Sequence, residues 1–410
     1  MSFSFSNVNG SWISKARMVI NLPNLLKYED TLAVVGSLST MIGLCYVITA
    51  EGQILNEDQG QKWPKIVLIH CPSKNFPKHA TRQLKALVKA NGVEIIHDLF
   101  GHFAAFCERK HPHPRSYIMV HTQRTTNWGW FSRVRPLAYQ INLNYAGQRA
   151  KSLWNDTRIL HAVDHITVMG PGHELDLIQG HDIAPEKISF IPSETDCNRF
   201  TMPHSVSKKV CDDEQAIILL YTGALVRAKG LELLFDLFTK LYQDDQRLQL
   251  ILIGRETDYE QRWFRHKVNH YPLKDKIRII DFLPREELIA YYQKARLYLF
   301  PSLFEGSPRS LREAIACGTP AVASDIPGHR GIDPQQQFIH FAPVNDLEVW
   351  HQSVQKALHE SVEEYEQRAH QGRAWLLEHH QPLKVAQSWA KLYEKVAQNV
   401  LHLGTNHLHH

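Results

Sequence analysis

Two glutamates, Glu305 and Glu313, stand eight residues apart and bracket a sequence signal for a helix start. On a helix that separation is a little over two turns, so the pair can address two ends of one extended ligand. Between them Ser307 reads as an N-cap and Pro308 as the first helical residue. The turn from Ser307 through Pro308, Arg309 and Ser310 to Leu311 therefore offers backbone N–H groups without helical acceptors. A carboxylate, a glycine (Gly306) and such N–H groups at a strand-to-helix turn are the parts of an anion or nucleotide site. A second such turn is GALVRAKG, residues 223–230, where Lys229 precedes a helix. A cation there opposes the helix dipole unless an anion is near, which favours phosphate binding. His97-Asp98 and His121-Thr122 end two further apolar runs, where open parallel sheets hold their ligands.

These positions require strands and helices in alternation, and the chain supplies them. Strands are expected at 17–22, 44–49, 65–70, 93–97, 117–121, 163–168 and 187–191, then at 216–221, 248–253, 277–280, 297–300, 321–323 and 338–341. Between them lie helices at 25–40 and 78–90, and one after Gly230 with apolar residues at 231, 234, 235, 238 and 241. Further helices are expected at 285–294, from 307, at 347–358 and 362–378, and from Pro382 to about 401. The alternation argues a parallel, doubly wound α/β architecture. Residues 201–215, polar and mixed, suit a linker, and 410 residues call for two domains.

The stretch 299–331, LFPSLFEGSPRSLREAIACGTPAVASDIPGHRG, resembles the donor site of family 4 glycosyltransferases, retaining enzymes of the GT-B fold. Their signature is E-x7-E followed by A-x-G-x-P, matched here by Glu305, Glu313, Ala316, Gly318 and Pro320. The resemblance covers 160–345 well and the first half loosely. It implies an α/β GT-B fold, with two Rossmann-like doubly wound domains facing across a cleft. The N-terminal acceptor domain would span 1–200 and be joined by the C-terminal helix 383–403; the donor domain would span 208–382.

By the same resemblance, Glu305 holds the sugar hydroxyls and Glu313 the ribose hydroxyls. Gly223, Lys229 and Gly230 match the donor-diphosphate loop; Ala224 stands where the family has arginine, and Arg227 is offered as its substitute. The strand ends bearing Arg255 and Leu283 enclose the nucleobase, and Gly306 to Leu311 lie against the diphosphate. His121 lies beside the transferred sugar and the acceptor hydroxyl, so His121, Glu305 and Lys229 form the implied catalytic set. The family's glycine-rich turn after the first strand is missing from 22–30, where Lys27 offers a cation instead; Lys27, His97 and Asp98 make up the acceptor side.

The implied function is transfer of a hexose from a nucleotide sugar, with UDP-glucose the leading donor, to a hydroxyl of a polysaccharide or lipid-linked acceptor. No cofactor or metal is implied, since the chain has no Asp-x-Asp motif and the family binds its diphosphate without one. Two other readings stay open: a nucleotide-sugar epimerase of the same architecture, and a non-catalytic nucleotide-sugar-binding protein.

Composition sets the outer limits. A hydrophobic share of 43% and a charged share of 21% belong to a globular protein, and a net charge of +4 gives no argument for nucleic acid. The six scattered cysteines form no CxxC pair, which suits a reduced, cytoplasmic setting without structural zinc. The beginning of the chain lacks the plan of a signal peptide. The apolar run 31–50 splits better into a helix and a strand than into a membrane span. Helix 78–90 carries a basic face suited to weak peripheral contact with the inner, anionic face of a membrane.

Overall fold

The computed structural model describes residues 12–25, 28–103, 106, 117–123, 157–203, 216–258 and 260–406. In β1 (Arg17–Asn21) neighbouring side chains go to opposite faces: Met18 and Ile20 enter one core, and Val19 enters the other. β2 (Leu44–Ala50) divides in the same way, with Cys45 and Val47 on one side and Ile48 on the other. Burial on both faces is what a parallel strand covered by helices requires. The remaining strands of this sheet are β3 (Ile66–Cys71), β4 (Ile95–Asp98), β5 (Ile118–Gln123), β6 (His165–Val168) and β7 (Ile188–Phe190). Every pairing among them is parallel, in the order β3-β2-β1-β4-β5-β6-β7.

The second sheet repeats the plan. β8 (Ile217–Thr222), β9 (Leu248–Ile253), β10 (Ile277–Ile280), β11 (Leu297–Phe300), β12 (Ala321–Ser324) and β13 (Ile339–Ala342) are also parallel, in the order β10-β9-β8-β11-β12-β13. The two doubly wound domains expected from the sequence are both present. In each sheet the strand order reverses once, between β1 and β4 and between β8 and β11. Those reversals open a crevice beyond the carboxyl ends of the strands.

Twelve α-helices have defined bounds among the described residues: α1 (Glu29–Met41), α2 (Glu57–Lys62), α3 (Phe76–Asn91), α4 (His173–His181), α5 (Leu231–Asp244), α6 (Gln261–Asn269), α7 (Arg285–Lys294), α8 (Arg309–Ala316), α9 (Pro327–Arg330), α10 (Leu347–Leu358), α11 (Val362–His379) and α12 (Pro382–Asn406). The apolar run 31–50 is α1 and β2, and no described helix is long and apolar enough to cross a membrane. α1 starts four residues later than its pattern suggests, because Leu25 is buried and its N–H bonds the Gln53 side chain at 2.9 Å. On α3 the cations Lys78, Arg82 and Lys89 are exposed while Ala80, Leu84 and Leu87 are buried.

The last helix returns to the first domain. Val385, Trp389, Tyr393 and Val396 of α12 share one core with Leu32, Val35 and Leu38 of α1. The chain thus passes between the domains twice, and the crossings touch: Thr195 N–H donates to the His380 carbonyl at 2.7 Å, and His380 Nδ1 donates to the Ser193 carbonyl at 2.6 Å.

Candidate functional site

The reversal between β8 and β11 brings together the two turns singled out in the sequence. Leu303 N–H donates to the Ala228 carbonyl at 3.0 Å, knitting the loop after β11 to the loop after β8. Gly230 closes the second loop at φ +75°, and a Cβ there would sit 1.9 Å from the Pro301 carbonyl oxygen, so a side chain has no room. This packing places Lys229 Nζ on Glu305 Oε1 as a partly buried ion pair; Ser302 Oγ donates to the same oxygen at 3.0 Å.

α8 begins at Arg309, with Pro308 rather than Ser307 in the capping position. The Ser307 hydroxyl is committed elsewhere, accepting from Arg312 Nη1 at 2.5 Å. The expected serine cap is therefore replaced by a bond to the helix's own fourth residue. Pro308 carries no N–H, so of 307–311 only Ser307, Arg309, Ser310 and Leu311 can offer one. The Leu311 side chain is fully buried in the domain core and leaves only its backbone to the site.

Glu313 lies deeper, 4% exposed. Tyr292 Oη donates to its Oε2 at 3.1 Å, and Arg285 Nη2 lies 3.7 Å from its Oε1. Burial pushes the Glu313 carboxyl up; the Arg285 and Arg309 guanidinium groups work against that. Below it runs a floor of hydroxyls: Tyr292 Oη lies 2.8 Å from Thr222 Oγ1, and Tyr298 Oη donates to Ser310 Oγ at 2.9 Å or to the Thr222 carbonyl at 3.0 Å.

The other donor-side candidates are dispersed. Arg227, the expected substitute for an arginine at Ala224, has its Nε on Glu260 Oε2 at 3.0 Å and its guanidinium over the Trp263 ring. The loop thus brings Lys229 to Glu305, while Arg227 reaches toward α6. Gly223 leads out of β8 at φ +150°, with its N–H bonded to the Ile253 carbonyl at 2.9 Å. Arg255 is largely exposed, 4.0 Å from Asp281 and over the exposed ring of Phe282, with Leu283 partly buried behind. These form a shelf at the ends of β9 and β10.

On the opposite sheet, strand register decides which histidine meets which acid. Asp98 pairs with His121 and His97 with Val120. Asp98 is fully buried and accepts from Asn21 Nδ2 at 2.5 Å and from the N–H groups of Phe100, His102 and Phe103. Its Oδ2 lies 3.6 Å from His121 Nδ1, and His121 Nε2 lies 2.9 Å from Gln123 Oε1. Burial alone would raise the Asp98 carboxyl, but the His121 ring and Asn21 outweigh it and hold it below its ordinary range. A buried anion thus backs His121 at the end of β5.

His97 does not join that group. It is fully buried, with Nδ1 2.6 Å from Tyr393 Oη on α12 and Nε2 2.7 Å from Thr122 Oγ1, and burial drives it down to about 3. Both ring nitrogens are engaged inside the domain, so the structure does not bring His97 to an acceptor. Lys27 lies outside the described residues. Among the described residues of 22–30, Asp30 accepts two bonds from Arg285 of the other domain, at 2.8 and 3.1 Å.

That bond is one of several across the cleft. Arg199 pairs with Glu286 of the other domain as well as with Glu29 of its own, and within the first domain Thr31 donates to Glu194. Arg312 donates to Thr195 Oγ1 at 2.8 Å and to the Glu194 carbonyl at 3.2 Å. Gly170, just past β6, approaches the donor loop so closely that a Cβ would lie 1.8 Å from the Gly306 carbonyl oxygen. Sequence reasoning passed over Asn21, Asp30, Gly170, Arg285, Tyr292 and Arg312. The one local signal was a polar asparagine at the end of an apolar strand.

Two parallel-sheet domains whose strand ends face each other, with cation and carboxylate at the second reversal, define the GT-B class of architecture. Residues 206–375 of this chain match the model of the glycosyl transferases group 1. The chain's curated relatives include D-inositol 3-phosphate glycosyltransferase of Thermobifida fusca, 27% identical over 161 residues and 37% of either chain. Mannosylfructose-phosphate synthase of Agrobacterium fabrum is 27% identical over 157 residues, 36% of this chain and 35% of the other. The match thus spans only a little over a third of these relatives' length. Among solved structures, sucrose-phosphate synthase from Thermosynechococcus elongatus superimposes with a TM-score of 0.71 at 18% identity, covering 94% of this chain and all of the other. The Anabaena protein HepE, solved with UDP and glucose, gives 0.66 at 13% identity, over 92% and 99%. At those identities the likeness speaks for the fold.

Proposed function

We propose that this chain is a retaining glycosyltransferase that moves a hexose from a nucleoside-diphosphate sugar to an acceptor hydroxyl. The observation that carries this reading is the meeting of Lys229 and Glu305 at the β8/β11 reversal, beside the start of α8. A cation and helix N–H groups receive the diphosphate, and a carboxylate next to them receives sugar hydroxyls. Glu313, the fifth residue of α8, takes the ribose.

In this reading the bond from the anomeric carbon to the phosphate oxygen breaks while the acceptor oxygen bonds to the same face of that carbon. The acceptor's proton passes to the departing phosphate. Lys229 and the N–H groups of Arg309, Ser310 and Leu311 stabilise the leaving diphosphate as its charge develops. His121, with Asp98 behind it, faces this event from the opposite sheet and orients the sugar and acceptor hydroxyls.

UDP-glucose is the leading donor, a choice supported by the UDP and glucose with which Anabaena HepE was solved. Curated relatives are named for a phosphorylated polyol and for phosphorylated sugar products, which makes small phosphorylated acceptors worth testing beside polysaccharide and lipid-linked ones. The exposed cations of α3 suit weak contact with an anionic membrane at the cytoplasmic side, which vesicle sedimentation tests directly.

A thermal-shift panel of nucleotide sugars identifies the donor by mass action. Acceptors are then scored by nucleoside-diphosphate release. Release only on addition of an acceptor supports the transferase. Sugar interconversion without acceptor points to an epimerase, and binding with neither to a non-catalytic protein.

A further inference from the structure

Glu313 cannot do its proposed work alone. A carboxylate 4% exposed is costly to keep ionised. If it takes up a proton, its strong acceptor bonds to a ribose diol are lost. Tyr292 supplies one hydrogen bond to Oε2. Oε1 receives no hydrogen bond among the described residues; its neighbour is Arg285 Nη2, at 3.7 Å. That distance is an ion pair with room left for a hydroxyl to bond Oε1 directly.

Arg285 is in turn fixed from the other domain. Asp30, 4% exposed at the first turn of α1, grips both terminal nitrogens of the guanidinium in a two-bond fork. Glu29 stands 3.6 Å from the same guanidinium, and Arg309 also faces Glu313.

We propose that Arg285 is the positioning residue for the ribose-binding carboxylate Glu313, and that Asp30 holds Arg285 in that role from across the cleft. Selectivity for a ribonucleotide over its 2′-deoxy counterpart then depends on a residue in each domain. This rests on the donor reading above and adds to it the group that enforces the ribose preference.

The test compares each ribonucleoside diphosphate with its 2′-deoxy form by calorimetry, using the base that the panel selects. The wild-type protein should prefer the ribo form by about tenfold or more, the range of a hydrogen bond to a charged group. Arg285→Met should bring the two affinities within about threefold of each other, and Asp30→Asn should reduce the preference in part. The exchanged pair Asp30→Arg with Arg285→Asp should regain thermal stability but not ribose selectivity, since it sets a second carboxylate beside Glu313. A merely structural Arg285 would instead lower both affinities equally and recover with the exchange. Selectivity that survives Arg285→Met overturns this proposal alone. A wild type that binds a diphosphate without ribose preference overturns the Glu313 assignment together with it. Failure to bind any nucleoside diphosphate overturns the donor reading as well.

Discussion

Replacing Glu305 by glutamine should tighten the binding of a bare nucleoside diphosphate while weakening sugar transfer. Without ligand, Lys229 is engaged by Glu305, whose side chain is 12% exposed against 27% for the lysine. A diphosphate must break that pair to reach the lysine and must approach the carboxylate's charge. So partly covered a pair lies at the upper end for surface ion pairs, about 1 kcal/mol. Releasing the lysine should therefore improve diphosphate affinity about fivefold. The effect should shrink as salt screens the site. The sugar end responds oppositely, because glutamine gives a neutral acceptor where the donor's hydroxyls met a charged one. Losing the charge assistance costs about 1.5–3 kcal/mol, a fall in transfer of roughly 10- to 100-fold. Calorimetry with the diphosphate at low and high salt, paired with single-turnover transfer, measures both arms. Equal or weaker diphosphate binding would refute the competition for Lys229. Unchanged transfer would refute the sugar-holding role.

Three further substitutions test other parts of the molecule. Gly170→Ala puts a Cβ 1.8 Å from the Gly306 carbonyl oxygen, so it should cost about 1–3 kcal/mol and weaken nucleotide binding by shifting the donor loop; an unchanged melting temperature and Kd would contradict the contact. Tyr393→Phe removes the partner of His97 Nδ1 and should destabilise the first domain by about 1–2 kcal/mol with KM and kcat intact, whereas an altered acceptor KM would return His97 to the site. Glu360 is raised by burial but, bonded by His340 and Arg368, is held down to about 2 from an ordinary 4.5. A depressed carboxyl contributes stability above its unfolded value and loses it as pH falls toward the folded one, so up to about 3 kcal/mol should vanish between roughly pH 5 and pH 2. Urea unfolding of Glu360→Gln should therefore differ from wild type at neutral pH and converge with it in acid.

The parts of this molecule that were legible in its sequence are those written locally. Parallel strands buried on both faces must be short apolar runs, so β8 and β9 (IILLYT, LQLILI) announce themselves. The donor half of the site is one turn and one helix: Glu313 stands on α8, and Glu305 lies in the loop four residues before its first residue, Arg309. What stayed hidden joins distant segments. Asp30 and Arg285 are 255 residues apart, Thr195 and Arg312 117, and no local pattern encodes either pair. Ser307 failed as a cap because a buried arginine competed for its hydroxyl. His97 and His121 look alike as strand-end histidines. Only the β4–β5 register, which sets Asp98 rather than His97 opposite His121, separates the histidine backed by a buried aspartate from the one bonded to Tyr393 and Thr122.

The return of α12 to the first domain has a consequence for how the chain is made. The second domain is an insertion within the first, and residues 217–379 hold its whole sheet and most of its covering helices. On the ribosome that segment can complete its own core while α1 still waits, its apolar stripe of Leu32, Val35 and Leu38 bare until Trp389 and Tyr393 have emerged. The half of the protein synthesised first is therefore the half that finishes folding last. A chain cut short before residue 382 would carry a finished nucleotide domain tethered to a domain that cannot close.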